Sequence, residues 1–183
     1  MLRYVLLGAL SYLPLTGYQI KQFIDQSARH FWHAQTSQIY RTLDALEKEG
    51  MVESERQPQN DRPDRRVYSL TDAGRADLLA WLHQPMTEIE PTKDTLLVRL
   101  FFAALVDKET TLTQLRLQRA LHVQQLELFR ARIPDQIRRG LAGQPGYERE
   151  AILWDQARRL GELGTETMIR WLDETIRRIE ESP

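Results

Sequence analysis

Between Gln26 and Leu43 the chain carries no acidic residue, and within that stretch stand Gln35, Thr36, Ser37, Gln38, Tyr40 and Arg41. Hydroxyls, carboxamides and a guanidinium set this closely are the groups that hydrogen-bond to base edges and phosphate oxygens. A glutamine pairs in bidentate fashion with adenine, and an arginine with guanine or a phosphate. Without carboxylates, the stretch can approach a polyanion unopposed. A second basic group, Arg62, Arg65 and Arg66, follows in a segment dense in turn residues, where side chains reach outward to phosphate or a minor groove. Asp61 and Asp64 dilute its charge. Either group alone is also what a solvated helix face or a wet turn looks like, so its meaning depends on the scaffold.

Other chemistries find little support. With no cysteine in the chain, disulfides, thiolate zinc sites and cysteine nucleophiles are excluded, and a reducing compartment is suited. His30, His33, His83 and His122 do not have metal-ligand spacing, and structural or surface roles are expected for them. No phosphate loop, nucleophile elbow or metal-binding helix motif is present, so neither an enzyme nor a cofactor is expected. A formal net charge of −1 gives no global attraction to nucleic acid and leaves only the local distribution of charge to act. The apolar run from Tyr4 to Leu13 is too short to cross a bilayer, and a cytoplasmic protein without a membrane partner is expected.

The elements that must hold the polar stretch can be read from spacing. Leu2, Val5, Leu6, Ala9 and Leu10 recur as on a helix that Pro14 ends. Thr16 with Gln19 makes a capping-box pattern for a second helix over Tyr18 to Ala28, with Ile20, Phe23 and Ile24 inward. After a turn, Thr36 or Ser37 caps a third helix with Ile39, Leu43 and Leu46 inward and Gly50 as its stop; the acids from Asp44 onward are expected to face away from the polar end. Met51 to Gln57 and Arg65 to Leu70 read as a two-stranded hairpin. Thr71 then caps a further helix with Leu78, Leu79 and Leu82 inside. This order is a winged helix-turn-helix over residues 1–85, whose third helix would enter a major groove.

Beyond Pro85 and Pro91 every periodic segment is helical, which predicts an all-helical domain over 86–183 and a mainly α fold overall. One helix spans Thr92 to Val106, and a second, capped by Asp107, runs to about Ile133 before Pro134, Gly140 and Gly143 break or loosen it. The last covers Tyr147 to Ile179. Along it Leu153, Ala157, Leu160, Gly164, Met168 and Trp171 recur at threes and fours. So long a seam on a domain appended to one with its own core suggests pairing with a second copy, and a homodimer interface is expected there. Gly161 and Gly164 suggest a close helix approach.

The same residues resemble the PadR-like transcriptional regulators. The likeness lies in Leu6-Leu7-Gly8-Ala9-Leu10, then Gly17-Tyr18-Gln19-Ile20, then Ile39-Tyr40-Arg41-Thr42-Leu43 with Leu46-Glu47 and Gly50, and finally Arg66-Val67-Tyr68-Ser69-Leu70-Thr71 with Gly74-Arg75. It covers residues 1 to about 80 in fixed order, and the remaining helices look like the larger C-terminal domain of the virulence-activator type. The resemblance implies a homodimer on an inverted repeat in double-stranded promoter DNA, commonly a repressor and sometimes released by a small ligand. Tyr40 matches the family's recognition-helix tyrosine, and Arg66 with Tyr68 its wing strand, which adds Tyr68 to the DNA-binding candidates. Two other readings stay open. Trp32, Trp81, Trp154, Trp171, Phe101, Phe102 and Phe129 are core residues by default but could line a pocket for a small aromatic effector, making the chain a sensor first. Alternatively it is a protein-interaction module with little DNA binding, which its neutral charge permits.

Overall fold

The computed structural model describes residues 1–25, 34–58, 65–89, 93–140 and 143–182. The chain divides into two compact units, Met1–Ile89 and Glu90–Pro183. In the first, the order is α1 (Leu2–Leu10), β1 (Leu15–Thr16), α2 (Gly17–Phe23), α3 (Thr36–Lys48), β2 (Val52–Gln57), β3 (Arg65–Leu70) and α4 (Asp72–His83). Apolar residues at helical spacing converge on one core, in which Leu6, Leu7, Ile20, Ile39, Leu43 and Leu46 are sealed together with Val52 and Tyr68.

Local signals set the helix ends. Thr16 opens α2 with a reciprocal box: Gln19 N–H donates to Thr16 Oγ1 at 3.2 Å and Thr16 N–H to Gln19 Oε1 at 2.9 Å. At α3 the cap is Gln35 rather than Thr36 or Ser37. Gln38 reaches back so that its Oε1 accepts from Gln35 N–H at 3.1 Å, which leaves both hydroxyl residues exposed on the first turn. Gly50, at φ 71, ends α3 in the left-handed conformation. Its N–H donates to Glu47 O and that of Met51 to Leu46 O, closing carbonyls the helix leaves open. The portion of the second helix expected beyond residue 25 lies outside the described residues.

The wing carries a third strand that periodicity did not reveal. The sheet order is β1-β3-β2, antiparallel throughout, with Leu15 opposite Tyr68 on one side and Ser54 opposite Tyr68 on the other. Two residues are too few to show alternation; β1 exists because the far edge of β3 needs hydrogen-bond partners. In α4, Thr71 Oγ1 accepts from Gly74 N–H at 3.1 Å. Only Leu78 of the three leucines expected inside is buried, whereas Leu79 and Leu82 are exposed. Trp81 takes the inward place by stacking on Tyr4, ring centroids 4.4 Å apart.

Every regular element among the described residues of the second unit is helical: α5 (Thr95–Phe101), α6 (Lys108–Glu127), a π-helical turn (Leu128–Arg132), α7 (Ile133–Arg139) and α8 (Glu148–Glu181). A short 3₁₀ turn, Ala103–Leu105, links α5 to α6. Asp94, inside the span expected as helix, instead caps α5, accepting from the N–H groups of Leu96 and Leu97, and Asp107 caps α6. Pro134 does not end the helix, because it occupies the first turn of α7, where a missing N–H costs nothing. α6 and α8 run antiparallel: Lys108 Nζ donates to the carbonyls of Glu180 and Ser182, Arg119 pairs with Asp173, and Arg130 with Glu162 and Glu166.

Glu162 faces inward between these helices, 7% exposed, beside Thr165 and Leu172. Arg158, Arg159 and Arg130 all pair with it. The hydrogen bond from Arg158, aided by those from Arg159 and Arg130, outweighs the opposing effect of burial and lowers its carboxyl from 4.5 to about 2. A carboxyl lowered by folding contributes stability that is complete above its unfolded value and lost as pH falls through the folded one. Glu162→Gln is therefore expected to lower unfolding stability at neutral pH by on the order of 3 kcal/mol, with the deficit narrowing as the medium is taken to about pH 3. Urea titrations at both pH values check this; a deficit independent of pH would mean that the charge of Glu162 contributes nothing.

Candidate nucleic-acid interface

Burial of Ile39, Leu43 and Leu46 fixes which way α3 turns. The opposite side of its N-terminal half presents Thr36, Ser37, Gln38, Tyr40 and Arg41, all exposed, with Gln35 exposed just before them. Arg41 Nε donates back to Ser37 O at 3.3 Å, and Thr42 Oγ1 to Gln38 O at 2.8 Å. The ring of Tyr40 lies across the start of α2, where a Cβ on Gly17 would come within 2.5 Å of its Cε1 and 2.8 Å of its Cζ. Glycine is thus the residue that lets Tyr40 rest there while leaving it 42% exposed.

On the wing, Arg65 is exposed, its Nε donating to Gln57 Oε1 at 3.0 Å. Arg62 lies outside the described residues. Tyr68 does not fit direct contact with DNA: it is 1% exposed and belongs to the core, because β3 is the central strand and its inward face meets the helices. Burial also raises the Tyr68 hydroxyl's pKa above its ordinary value. Arg66 sits over the Tyr68 ring, 5.0 Å from its centroid, and its guanidinium is already engaged. Nη1 meets Asp44 Oδ1 at 2.9 Å, Nη2 meets Glu47, and Nε donates to Ser54 Oγ at 2.7 Å. Glu47 in turn accepts from the Ser54 hydroxyl. That hydrogen bond first, then the one from Arg66, holds the Glu47 carboxyl below its ordinary value despite partial burial.

The acids of α3 therefore do not simply face away. Asp44 lies four residues after Tyr40 and three after Arg41, on the same side of the helix, and its charge meets that of Arg66. Sequence reading also passed over Arg56. It stands directly opposite Arg66 in the β2–β3 register, is exposed, and has no ion pair among the described residues. The period-two alternation from Ser54 could have found it once the register was known. Among the described residues no cluster could hold a metal ion, and no helix is long and apolar enough to cross a membrane.

Three helices and a small antiparallel wing, with the third helix turning a polar, carboxylate-free first half outward, define a winged helix-turn-helix DNA-binding regulator. The sequence comparisons agree. Residues 6–80 match the transcriptional regulator PadR-like family and residues 92–180 the virulence activator alpha C-term domain. The chain belongs to the PadR-like family and is a transcriptional regulator, not an enzyme. It is 30% identical to a probable transcriptional regulator of Mycobacterium tuberculosis over 91% of this chain and 90% of that one. Its fold is shared with Bacillus subtilis PadR solved in complex with operator DNA, at TM-score 0.79 and 22% identity, covering 97% and 98% of the two chains. The Vibrio cholerae virulence activator AphA aligns at TM-score 0.72 and 26% identity, covering 98% of each.

Gly17→Ala tests the seat of Tyr40. The new methyl would push the half-exposed ring outward, leaving the unfolding free energy within about 1 kcal/mol of wild type while weakening binding to a promoter duplex several-fold. Thermal unfolding and fluorescence anisotropy measure the two; unchanged affinity would show that the position of Tyr40 does not matter to DNA.

Proposed function

We propose that the chain acts as a homodimer, reading an inverted-repeat operator in promoter DNA with its two copies of α3 and repressing transcription from it. The observation that carries this reading is the exposed set Gln35, Thr36, Ser37, Gln38, Tyr40 and Arg41 at the start of α3, backed by a buried apolar row that leaves it no other orientation. Arg65 and Arg56 on the wing supply phosphate contacts beside it, and Arg62 is assigned to the same role. A helix N-terminus adds its own partial positive charge toward phosphate. In a two-fold dimer the two α3 helices would meet successive major grooves about 10 base pairs apart.

The dimer reading rests on α8. Leu153 is 55% and Leu160 74% exposed, on a helix whose other side is packed on α6. Gly164 is exposed, and among the described residues a Cβ there would meet nothing within 4 Å, so the close approach expected of this glycine is not made among them. Ala157, Met168 and Trp171 are half-buried beside this strip. Together they form the side of α8 assigned to a second copy.

A small aromatic effector is the second reading. α5, the 3₁₀ turn and the start of α6 line an open cleft of about 380 Å³, whose apolar walls include Leu96, Leu100, Phe102 and Leu115. That volume falls in the range of small-molecule pockets. Bacillus subtilis PadR has also been solved in complex with p-coumaric acid.

Arg41→Ala and Tyr40→Ala are each expected to weaken binding to a duplex from the chain's own upstream region about tenfold or more, with the dimer intact. Anisotropy at two salt concentrations, with unrelated DNA as competitor, reads the first effect. Unchanged affinity in both variants would remove α3 from the interface. Leu160→Glu is expected to yield monomers by light scattering, and a dimer that persists would place the seam elsewhere.

A further inference from the structure

We infer that Arg66 is a positioning residue for DNA binding: it holds two carboxylates on the recognition helix in ion pairs, offsetting one of their two charges, and ties that helix to the wing, without itself contacting phosphate. The inference rests on the DNA reading given above. Asp44 and Glu47 lie on the half of α3 that follows Tyr40 and Arg41, one at 53% and the other at 30% side-chain exposure. Bare carboxylates there would stand beside a groove walled by phosphates and repel them. They would also repel one another at a spacing of three residues and sit unfavourably near the negative end of the helix dipole.

Arg66 answers all three problems with one side chain. Its two terminal nitrogens divide between Asp44 and Glu47, while Nε is taken by Ser54 on β2. Its face rests over Tyr68, a core residue. Every nitrogen of the guanidinium thus has an acceptor within the chain, and a phosphate would have to share the group with two carboxylates that already hold it. The fork also joins three elements, α3, β2 and β3, so it sets the angle between the reading helix and the wing. Arg56, opposite Arg66 in register and unpaired among the described residues, is the side chain on this face left to reach phosphate.

Salt dependence separates positioning from contact, because each phosphate a protein neutralises adds about one to the slope of log affinity against log salt. The probes are a labelled duplex of the chain's own upstream region and a random-sequence duplex of equal length. Arg66→Gln is expected to weaken binding to both about tenfold or more by exposing two carboxylates. The triple variant Arg66→Gln, Asp44→Asn, Glu47→Gln is expected to recover to within about threefold of wild type, with the same slope. A triple variant as weak as the single one, with the slope reduced by about one, would make Arg66 a phosphate ligand and overturn the inference.

Should Arg66→Gln fail to fold by circular dichroism, the double variant Asp44→Asn, Glu47→Gln decides. Releasing Arg66 is expected to tighten binding to the random duplex and steepen the slope by about one, and an unchanged slope would overturn the inference. Loss of wild-type binding to both duplexes would overturn the DNA reading itself, whereas the outcomes above bear on Arg66 alone.

Discussion

The first unit depends on the burial of one apolar row. Ile39, Leu43 and Leu46 are at most 1% exposed, where α3 packs on α1, α2 and β2. Full burial of such side chains is worth about 1.5–3 kcal/mol each, so the three together are comparable to the whole margin by which a small domain is stable. Because three inward positions fix the rotation of a helix, the outward residues follow: Ser37, Gln38, Tyr40 and Arg41 face out because Ile39 and Leu43 face in.

Electrostatics then refines what packing has placed. The chain as a whole is nearly neutral, so its attraction to DNA must come from where its charges are left unpaired. The acids at the far end of α3 are bound within the unit: Asp44 and Glu47 to Arg66, and Glu49 to Arg3, which also holds Asp77. The result is a helix whose first half is free of carboxylates by sequence and whose second half has its carboxylates paired with, and partly offset by, arginines of neighbouring elements. Partly exposed pairs of this kind add little stability, about 0–1 kcal/mol each; their effect is on the potential presented to a polyanion.

The second unit uses charge differently. Ion pairs lace α6 to α8 along their length, and the buried Glu162 draws three arginines onto one carboxylate. Removing one partner of a buried pair is costly because the remaining charge stays desolvated, so this cluster fixes the facing of α8 against α6. Arg158 also donates to Phe129 O at 3.1 Å, within the π-helical turn, where a wider backbone ring leaves carbonyls turned outward. With one side of α8 committed to α6, its exposed leucines are grouped on the other.

Local chemistry made much of this legible from sequence: the capping box at Thr16, the left-handed stop at Gly50, the cap at Asp107, and the three-four spacing that marks Ile39, Leu43 and Leu46 as inward. These depend on residues a turn apart, so their physics is complete within a short window. Tertiary structure alone decided that Tyr68 is core rather than contact, that Arg66 spends its hydrogen bonds on Asp44, Glu47 and Ser54, and that a two-residue strand completes the sheet. It also decided that Leu79 and Leu82 stay outside while Trp81 turns inward to Tyr4. Those outcomes depend on strand register and on partners distant in the chain. Whether a polar side chain meets a neighbour or remains free for a ligand is settled by what folding brings beside it.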